Sequence, residues 1–432
     1  MLSRSVLGGK VGKTLNTHHQ AQASSRRLDI QGLRAVAVLM VVGYHAGLPI
    51  PGGFVGVGVF FVISGFVITA MLVREIEQSG KIRLGTFYVR RFKRLIPALA
   101  VMVAATMLVA PFFLFTLHGQ LETAKTGLAA MLFTANIMIA QISSGYFKSV
   151  AESNPLLHTW SLSVEEQFYF VFPLALVLAL AVTRRRFHRS RRLALTIVVA
   201  FMGVVSYAVM MAGVLGIEIP HVPSPLIGFF AASTRTWEFA AGALLALSWN
   251  WVSNTPLTKR SANACAVVGS AALLASLWAI DSSTPWPSSW TLLPVAGTLL
   301  LITAGASGNS VISGALASRF MTAIGDRSYS IYLWHWPFIV YTHIIWSPSV
   351  WILMSAALIS LIPAYASYRW IERPLRVHKA SRGWPLARFV SATVGPVLVL
   401  SGLVLVSAKN DMLNPTQARF AAQLRPDHLT VA

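Results

Sequence analysis

Long apolar stretches separated by short polar connections dominate the chain. Eleven of them are long enough to cross a bilayer as helices: 28–48, 53–73, 95–115, 166–183, 193–215, 226–248, 262–280, 290–307, 328–346, 350–371 and 386–407. A further apolar segment, 121–142, is interrupted by Thr123, Lys125, Thr126 and Asn136. The connections 74–94 (Arg74, Lys81, Arg83, Arg90, Arg91, Lys93, Arg94) and 184–192 (RRRFHRSRR) are strongly basic, which predicts both on the cytoplasmic side. Two crossings between them return the chain to that side; three do not. The segment 121–142 is therefore predicted to be re-entrant or interfacial, on the outer side. The later basic connections, 249–261, 308–327 and 372–388, then all fall inside. The outer ones near 49–52, 216–225, 281–289 and 347–349 hold no Lys or Arg. The pattern predicts an all-α polytopic membrane protein with about eleven transmembrane helices and a cytoplasmic N-terminus.

Composition agrees. Of 432 residues, 55% are hydrophobic and 11% charged, and the mean hydropathy is +0.63; soluble domains carry about a quarter charged residues. A net charge of +21 would suggest nucleic acid in a soluble protein. Here the cations lie between apolar spans, so the expected partners are membrane lipids and no nucleic acid. A single cysteine, Cys265, excludes an intrachain disulfide and reads as a small packing residue. Residues 1–27 are basic and acid-poor without an apolar core, which predicts a disordered cytoplasmic tail rather than a secretory signal. Residues 409–432 are expected to form a short extracytoplasmic tail.

Polar residues inside the spans narrow the chemistry. The first span carries Asp29, Arg34 and His45, and ionisable groups in a span usually face a protein-lined cavity or a partner. Arg34 and His45 are eleven residues apart, which returns a helix to within roughly 20° and separates them by roughly 16 Å. One face thus offers a fixed cation and a titratable imidazole; tying helices together is the structural alternative. Glycines crowd PGGFVGVGVFFVISGF, residues 51–66, and permit close backbone approach. Ser64 there has no base beside it in sequence, so packing or hydrogen bonding is the expected role.

In FYVRRFKRLIP, Arg91 and Arg94 share a helical face with Arg90 one step away. They form either a lipid-headgroup collar or a cytoplasmic site for a polyanion. Glu165 and Glu166 are expected at the outer start of a span, beside His158, Trp160 and Tyr169, at a depth similar to His45. Carboxylate and imidazole would then form a general-base pair; a dipole-stabilised first turn is the alternative. Arg235 and Glu238 are spaced to form a structural ion pair. His335 is a hydrogen-bonded core histidine or a site residue. Glu372 and Arg373 read as an inner-face anchor. No cluster has metal-ligand spacing and no glycine-rich phosphate loop occurs.

Together these stretches resemble the acyltransferase 3 family of bacterial membrane O-acyltransferases. The matching signatures are DIQGLRAVAVLMVVGYHAG, FFVISGFVIT, FYVRRFKRLIP, LLHTWSLSVEEQFYFVFP, RTWEFAAGALLA, GDRSYSIYLWHWPF and IERPL, in family order from Leu28 to Leu375. The resemblance implies transfer of an acyl group, usually acetyl, from cytoplasmic acyl-coenzyme A to a hydroxyl of an envelope glycan, glycolipid or similar acceptor. Acyl-coenzyme A is then a donor substrate, with no permanently bound cofactor. The bacterial inner membrane is the implied location. The family's arginine–histidine pattern falls on Arg34 and His45, its paired arginines on Arg91 and Arg94, and its conserved acid on Glu165. Catalysis is expected of His45 and Glu165; substrate contacts are expected of Arg34, Arg90, Arg91, Arg94, Glu166, Tyr169 and His335.

The implied organisation is an acyltransferase membrane domain at 28–375, then a basic linker and additional helix at 376–408. That helix resembles the one leading, in fused members, to an extracytoplasmic SGNH hydrolase-like domain. The chain stops soon after it; if it is complete, any such step is expected to be absent or to come from an extracytoplasmic partner enzyme. A covalent acyl-histidine relay stays open as a variant. The rival class is a transporter or flippase of a lipid-linked or amphipathic substrate, for which inverted repeats or paired broken helices are the missing signs.

Overall fold

The computed structural model describes residues 27–113, 117–143, 153–182, 188–217, 222–223, 226–249, 252, 257–306, 310–346, 349–377 and 384–409. The predicted tails, apart from Arg27 and Lys409, lie outside these residues. Among the described residues the chain is helical with no strand. The helices are α1 (Leu28–His45), α2 (Gly56–Ser79), α3 (Leu84–Phe113), α4 (Leu117–Met131), α5 (Ala135–Ile142), α6 (Thr159–Val182), α7 (His188–Val214) and α8 (Ala232–Leu247). After them come α9 (Lys259–Ala279), α10 (Leu292–Ala304), α11 (Val311–Leu316), α12 (Arg319–Ile345), α13 (Val350–Ile359), α14 (Leu361–Ser367), α15 (Arg373–Val377) and α16 (Trp384–Lys409). A single π turn, Tyr368–Glu372, joins α14 to α15.

Seven helices among the described residues are long and apolar enough to cross a membrane. The predicted spans that miss this test, in α1, α8, α10 and α12, are short or carry polar side chains. Three of these, α1, α8 and α12, hold the buried Asp29, Arg235, Glu238 and His335. Outward-facing side chains such as Phe112, Leu178, Phe201 and Val204 are apolar and exposed, as a lipid-facing surface requires.

Element boundaries follow local chemistry. Helix α2 runs past the expected end at 73 and stops at Gly80, which adopts the left-handed conformation (φ 69°) and donates to Ile76 O at 2.8 Å. Much of the basic stretch 74–94 is thus helical, leaving only 80–83 as connection. Helices α9, α12 and α13 start behind Thr258, Ser318 and Ser349, whose hydroxyls accept from Ser261, Met321 and Ile352 N–H. Arg319 and Arg327, expected in a loop, therefore lie on α12. Asp29 is held by Arg27, which donates to both its carboxylate oxygens (2.8 and 2.6 Å) and to Ile302 O.

The segment 121–142 is broken at residues 132–134, where Phe133 takes φ 55°, so it does not form one spanning helix. Gln167 holds the break by donating to Phe133 O and Asn136 Oδ1, both at 2.8 Å. Asn136 donates to Phe230 O and Thr126 accepts from Asn154. Thr123, Thr126 and Asn136 are buried and thus face protein.

Side-chain contacts fix helix directions. Tyr329 bonds Leu95 O and Tyr341 bonds Thr106 O, so α12 runs parallel to α3. Arg91 faces Glu165 while Tyr88 bonds Phe170 O, so α6 runs antiparallel to α3. The chain between α3 and α6 therefore adds no net reversal, in accord with the parity read from the basic connections.

Glycines allow the tightest crossings. A Cβ on Gly65 of α2 would stand 1.9 Å from Phe239 O of α8, and one on Gly242 of α8 would stand 2.0 Å from Val62 O of α2. In the same way Gly325 of α12 meets the backbone of Gln31 on α1. Helices α1, α2, α3, α6 and α12 enclose the cavity described next.

Candidate active site

A cavity of about 690 Å³ lies between these helices. At one end stand Arg34 of α1, Arg90, Arg91, Lys93 and Arg94 of α3, and Asp326 of α12. Its middle is formed by Ser64, Glu165 and Tyr169, and its far end by Ser161 and Tyr332. The cationic end adjoins the starts of α1, α3 and α12, the side where the basic connections gather. The paired arginines are thus turned into a cavity, which sets them apart from a simple headgroup collar.

Glu165 organises the middle. Its Oε1 accepts from Ser64 Oγ at 2.6 Å and from the Tyr169 hydroxyl. The Arg91 guanidinium lies over the Tyr169 ring, 3.5 Å from its centroid, with Nη2 3.9 Å from Glu165 and 3.7 Å from Glu166. Ser64 therefore takes the hydrogen-bonding role expected of it. Glu166 is half-buried behind Arg91, and its Oε1, itself buried, has no hydrogen-bond partner among the described residues.

His45 has different neighbours from those expected. Its Nδ1 lies 3.0 Å from His335 Nε2, with the two rings nearly parallel at 14° and their centroids 5.2 Å apart. Trp336 packs edge-on against it, and His158 stands 5.7 Å from the His335 ring. The expected pairing of His45 with Glu165 is not formed: Glu165 belongs to the arginine cavity and His45 to the histidine group. The reason is the start of α6. Asn154 and Thr159 bond the turn at Leu156, so α6 begins at Thr159. Glu165 then sits six residues into the helix, roughly 9 Å below its start, rather than in the first turn.

The two parts meet at Tyr332. Its hydroxyl bonds Ser161 Oγ (2.6 Å) and His158 O (3.1 Å), its ring lines the cavity, and its carbonyl accepts from His335 Nδ1 (2.7 Å). Tyr332 and His335 are three apart and Ser161 and Glu165 four apart, spacings that put each pair on one helix face. Those spacings were the sequence signal for Tyr332 and Ser161, neither of which was singled out. Lys93 was passed over because it sits inside a basic run.

Other readings resolve one by one. Arg34 and His45 face the same neighbour, α12, at different levels, since Arg34 shares the cavity with Asp326 and His45 meets His335. Arg235 and Glu238 form a fully buried ion pair at 2.8 Å, and Phe61, Trp160, Phe229 and Trp286 stand 5.6 to 5.8 Å from the guanidinium. Glu372 is no surface anchor: the π turn points it inward, where it is buried and accepts from Ser330 at 3.0 Å. No metal-binding cluster occurs among the described residues.

The chain is similar to known proteins along most of its length. Residues 27–369 match the sequence model of the family described as an acyltransferase domain. The chain is 32% identical over 362 residues to the peptidoglycan O-acetyltransferase OatA of Listeria monocytogenes, covering 81% of this chain and 55% of that protein. It is 29% identical over 397 residues to the O-acetyltransferase OatA of Staphylococcus aureus, covering 89% and 63%. It is 31% identical over 375 residues to the putative peptidoglycan O-acetyltransferase YrhL of Bacillus subtilis, covering 83% and 56%. The chain thus spans little more than half the length of these relatives. No solved structure matches it.

Proposed function

From the premise that this chain belongs to the acyltransferase domain family, we propose that it moves an acyl group, in the first instance acetyl, from cytoplasmic acyl-coenzyme A to a hydroxyl of an envelope glycan. The relatives named for peptidoglycan make a peptidoglycan-type sugar the first acceptor to try. The bacterial cytoplasmic membrane is the proposed location, residues 28–375 the transferase unit, and 376–408 a linker and docking helix.

One observation carries the reading: a cationic cavity that ends, across Tyr332, beside a histidine pair. Guanidinium groups grip phosphates bidentately, so Arg34, Arg90 and Arg94 hold the nucleotide end of the donor. The pantetheine arm then runs past Ser64 and Tyr169 towards Tyr332. Glu165 and Glu166 keep Arg91 in place and shape the wall. His45 acts as general base, taking the proton from the acceptor hydroxyl as its oxygen attacks the thioester carbonyl carbon. The C–S bond breaks, and the imidazolium returns the proton to the departing thiolate. Acceptor oxygen gains the acyl group; coenzyme A leaves as the thiol.

The test is binding and turnover of the purified protein in proteoliposomes, with acetyl-coenzyme A and a chitooligosaccharide. His45→Ala should bind the donor as the parent does and lose about 10²–10⁴ in transfer rate. Failure of the parent to bind acetyl-coenzyme A would favour a transporter, and near-normal transfer by His45→Ala would remove the base.

A further inference from the structure

Resting on the assignment of His45 as base, we infer that His335 is a positioning residue that fixes which nitrogen of His45 is basic. A neutral imidazole carries one N–H, and the tautomer follows from the partners of each nitrogen. His335 Nδ1 lies 2.7 Å from Tyr332 O. A carbonyl oxygen accepts only, so the proton of neutral His335 is on Nδ1 and its Nε2 presents a lone pair. That Nε2 faces His45 Nδ1 at 3.0 Å, so His45 Nδ1–H donates. The proton of neutral His45 is thereby spoken for, and its lone pair is on Nε2. An unconstrained imidazole samples both tautomers; this chain of bonds selects one.

The selection is anchored in backbone. His335 is fully buried, so water does not compete for its nitrogens, and its acceptor is a main-chain carbonyl on the preceding turn of α12. His158, the third ring, does not compete either. Its Nε2 faces Leu333 O at 3.0 Å, so its own proton is on Nε2.

The same bonds serve the second half of the reaction. When His45 Nε2 takes the acceptor's proton, the imidazolium keeps Nδ1–H against the lone pair of the buried His335, so the new charge is met by a hydrogen-bond acceptor. No carboxylate is needed beside His45, which accounts for the placement of Glu165 elsewhere.

Substitution at 335 separates this role from simple packing. His335→Gln places an amide oxygen near the Nε2 position and can still accept from His45. His335→Phe keeps a ring and offers no acceptor. Both are measured as purified protein in proteoliposomes for acetyl-coenzyme A binding and for kcat. His335→Gln should stay within about tenfold of the parent kcat, while His335→Phe falls by 10²-fold or more, towards the roughly 10⁴-fold loss known for a wrong tautomer. Donor affinity should be unchanged in both. Equal kcat in two variants that bind donor alike would overturn the inference.

A second measurement does not depend on either variant folding. In ¹⁵N-histidine-labelled parent protein, the resonances missing from His45→Ala belong to His45. Protonated Nδ1 with bare Nε2 supports the assignment; protonated Nε2 overturns it. If His45→Ala itself transfers normally, the fault lies with the base assignment and not with His335.

Discussion

Arg91 lines the cavity and is also tied into its wall. It sits on Tyr169 between Glu165 and Glu166. Arg94→Ala should weaken acetyl-coenzyme A binding by one to two decades, since a charge-assisted contact contributes about 1.5–3 kcal/mol. Arg91→Ala should do the same and also lower the melting temperature, because two neighbouring carboxylates lose their cation, at a cost of about 1–3 kcal/mol. Titration calorimetry paired with thermal unfolding in detergent separates the two effects. Donor affinity at the parent level in Arg94→Ala would return that arginine to the lipid collar. At this scale the sequence was a good guide to residue type and a poor guide to partner. Arg34, Arg90, Arg91, Arg94, Glu165 and Tyr169 do converge on one cavity. His45 was assigned to the wrong acid because a six-residue shift in the start of α6 is invisible to hydropathy, which Ser161 and Thr159 barely alter.

Among the helices, the crossing of α2 and α8 is the most demanding. Each glycine lies against the other helix's carbonyl oxygen, so Gly65→Ala or Gly242→Ala must push the pair apart. Overpacking of this kind costs about 1–3 kcal/mol. Both variants should melt earlier than the parent in detergent, whereas Gly85→Ala, with no heavy atom within 4 Å of the new Cβ, should be neutral or slightly stabilising. Equal melting of all three would show that the crossing relaxes freely. The dense glycine run at 51–66 was legible as a close-approach surface, though the partner helix was not, because periodicity says nothing of neighbours. The extra helix α16 packs on α3 and α4, with Gly127 of α4 against Ser401. It belongs to the same body as the site rather than trailing from it.

For the whole molecule, helix direction is the firmest agreement between pattern and structure. Positive residues gave parity, and the antiparallel α3 and α6 gave the same answer through Arg91–Glu165 and Tyr88–Phe170. In a Cys265→Ala background, Lys125→Cys should react with an impermeant maleimide from outside and Gln78→Cys only from inside. Labelling of both from one face would break the parity argument. The count of eleven spans was harder to read, since α1 and α12 gain their polar character from the very residues that make a site.

The buried pair of α8 bears on how the protein is made. A helix of 16 residues with Arg235 and Glu238 in its first two turns is a poor candidate for release into lipid alone, since charges inside a span are costly, up to about 2.5–3.5 kcal/mol each at its centre on translocon scales. Its two main packing partners, α2 and α7, precede it in the chain, while α10 and Trp286 follow it. By the time α8 leaves the ribosome, the groove that receives it and the aromatic walls from Phe61 and Trp160 are already synthesised. Synthesis order thereby does part of the work of insertion. Placed in a foreign reporter, the isolated 232–247 segment should partition poorly from the translocon, and the Arg235→Leu, Glu238→Leu double variant should enter readily. In the full chain, efficient integration of α8 after deletion of α2 would show that the helix needs no waiting partner.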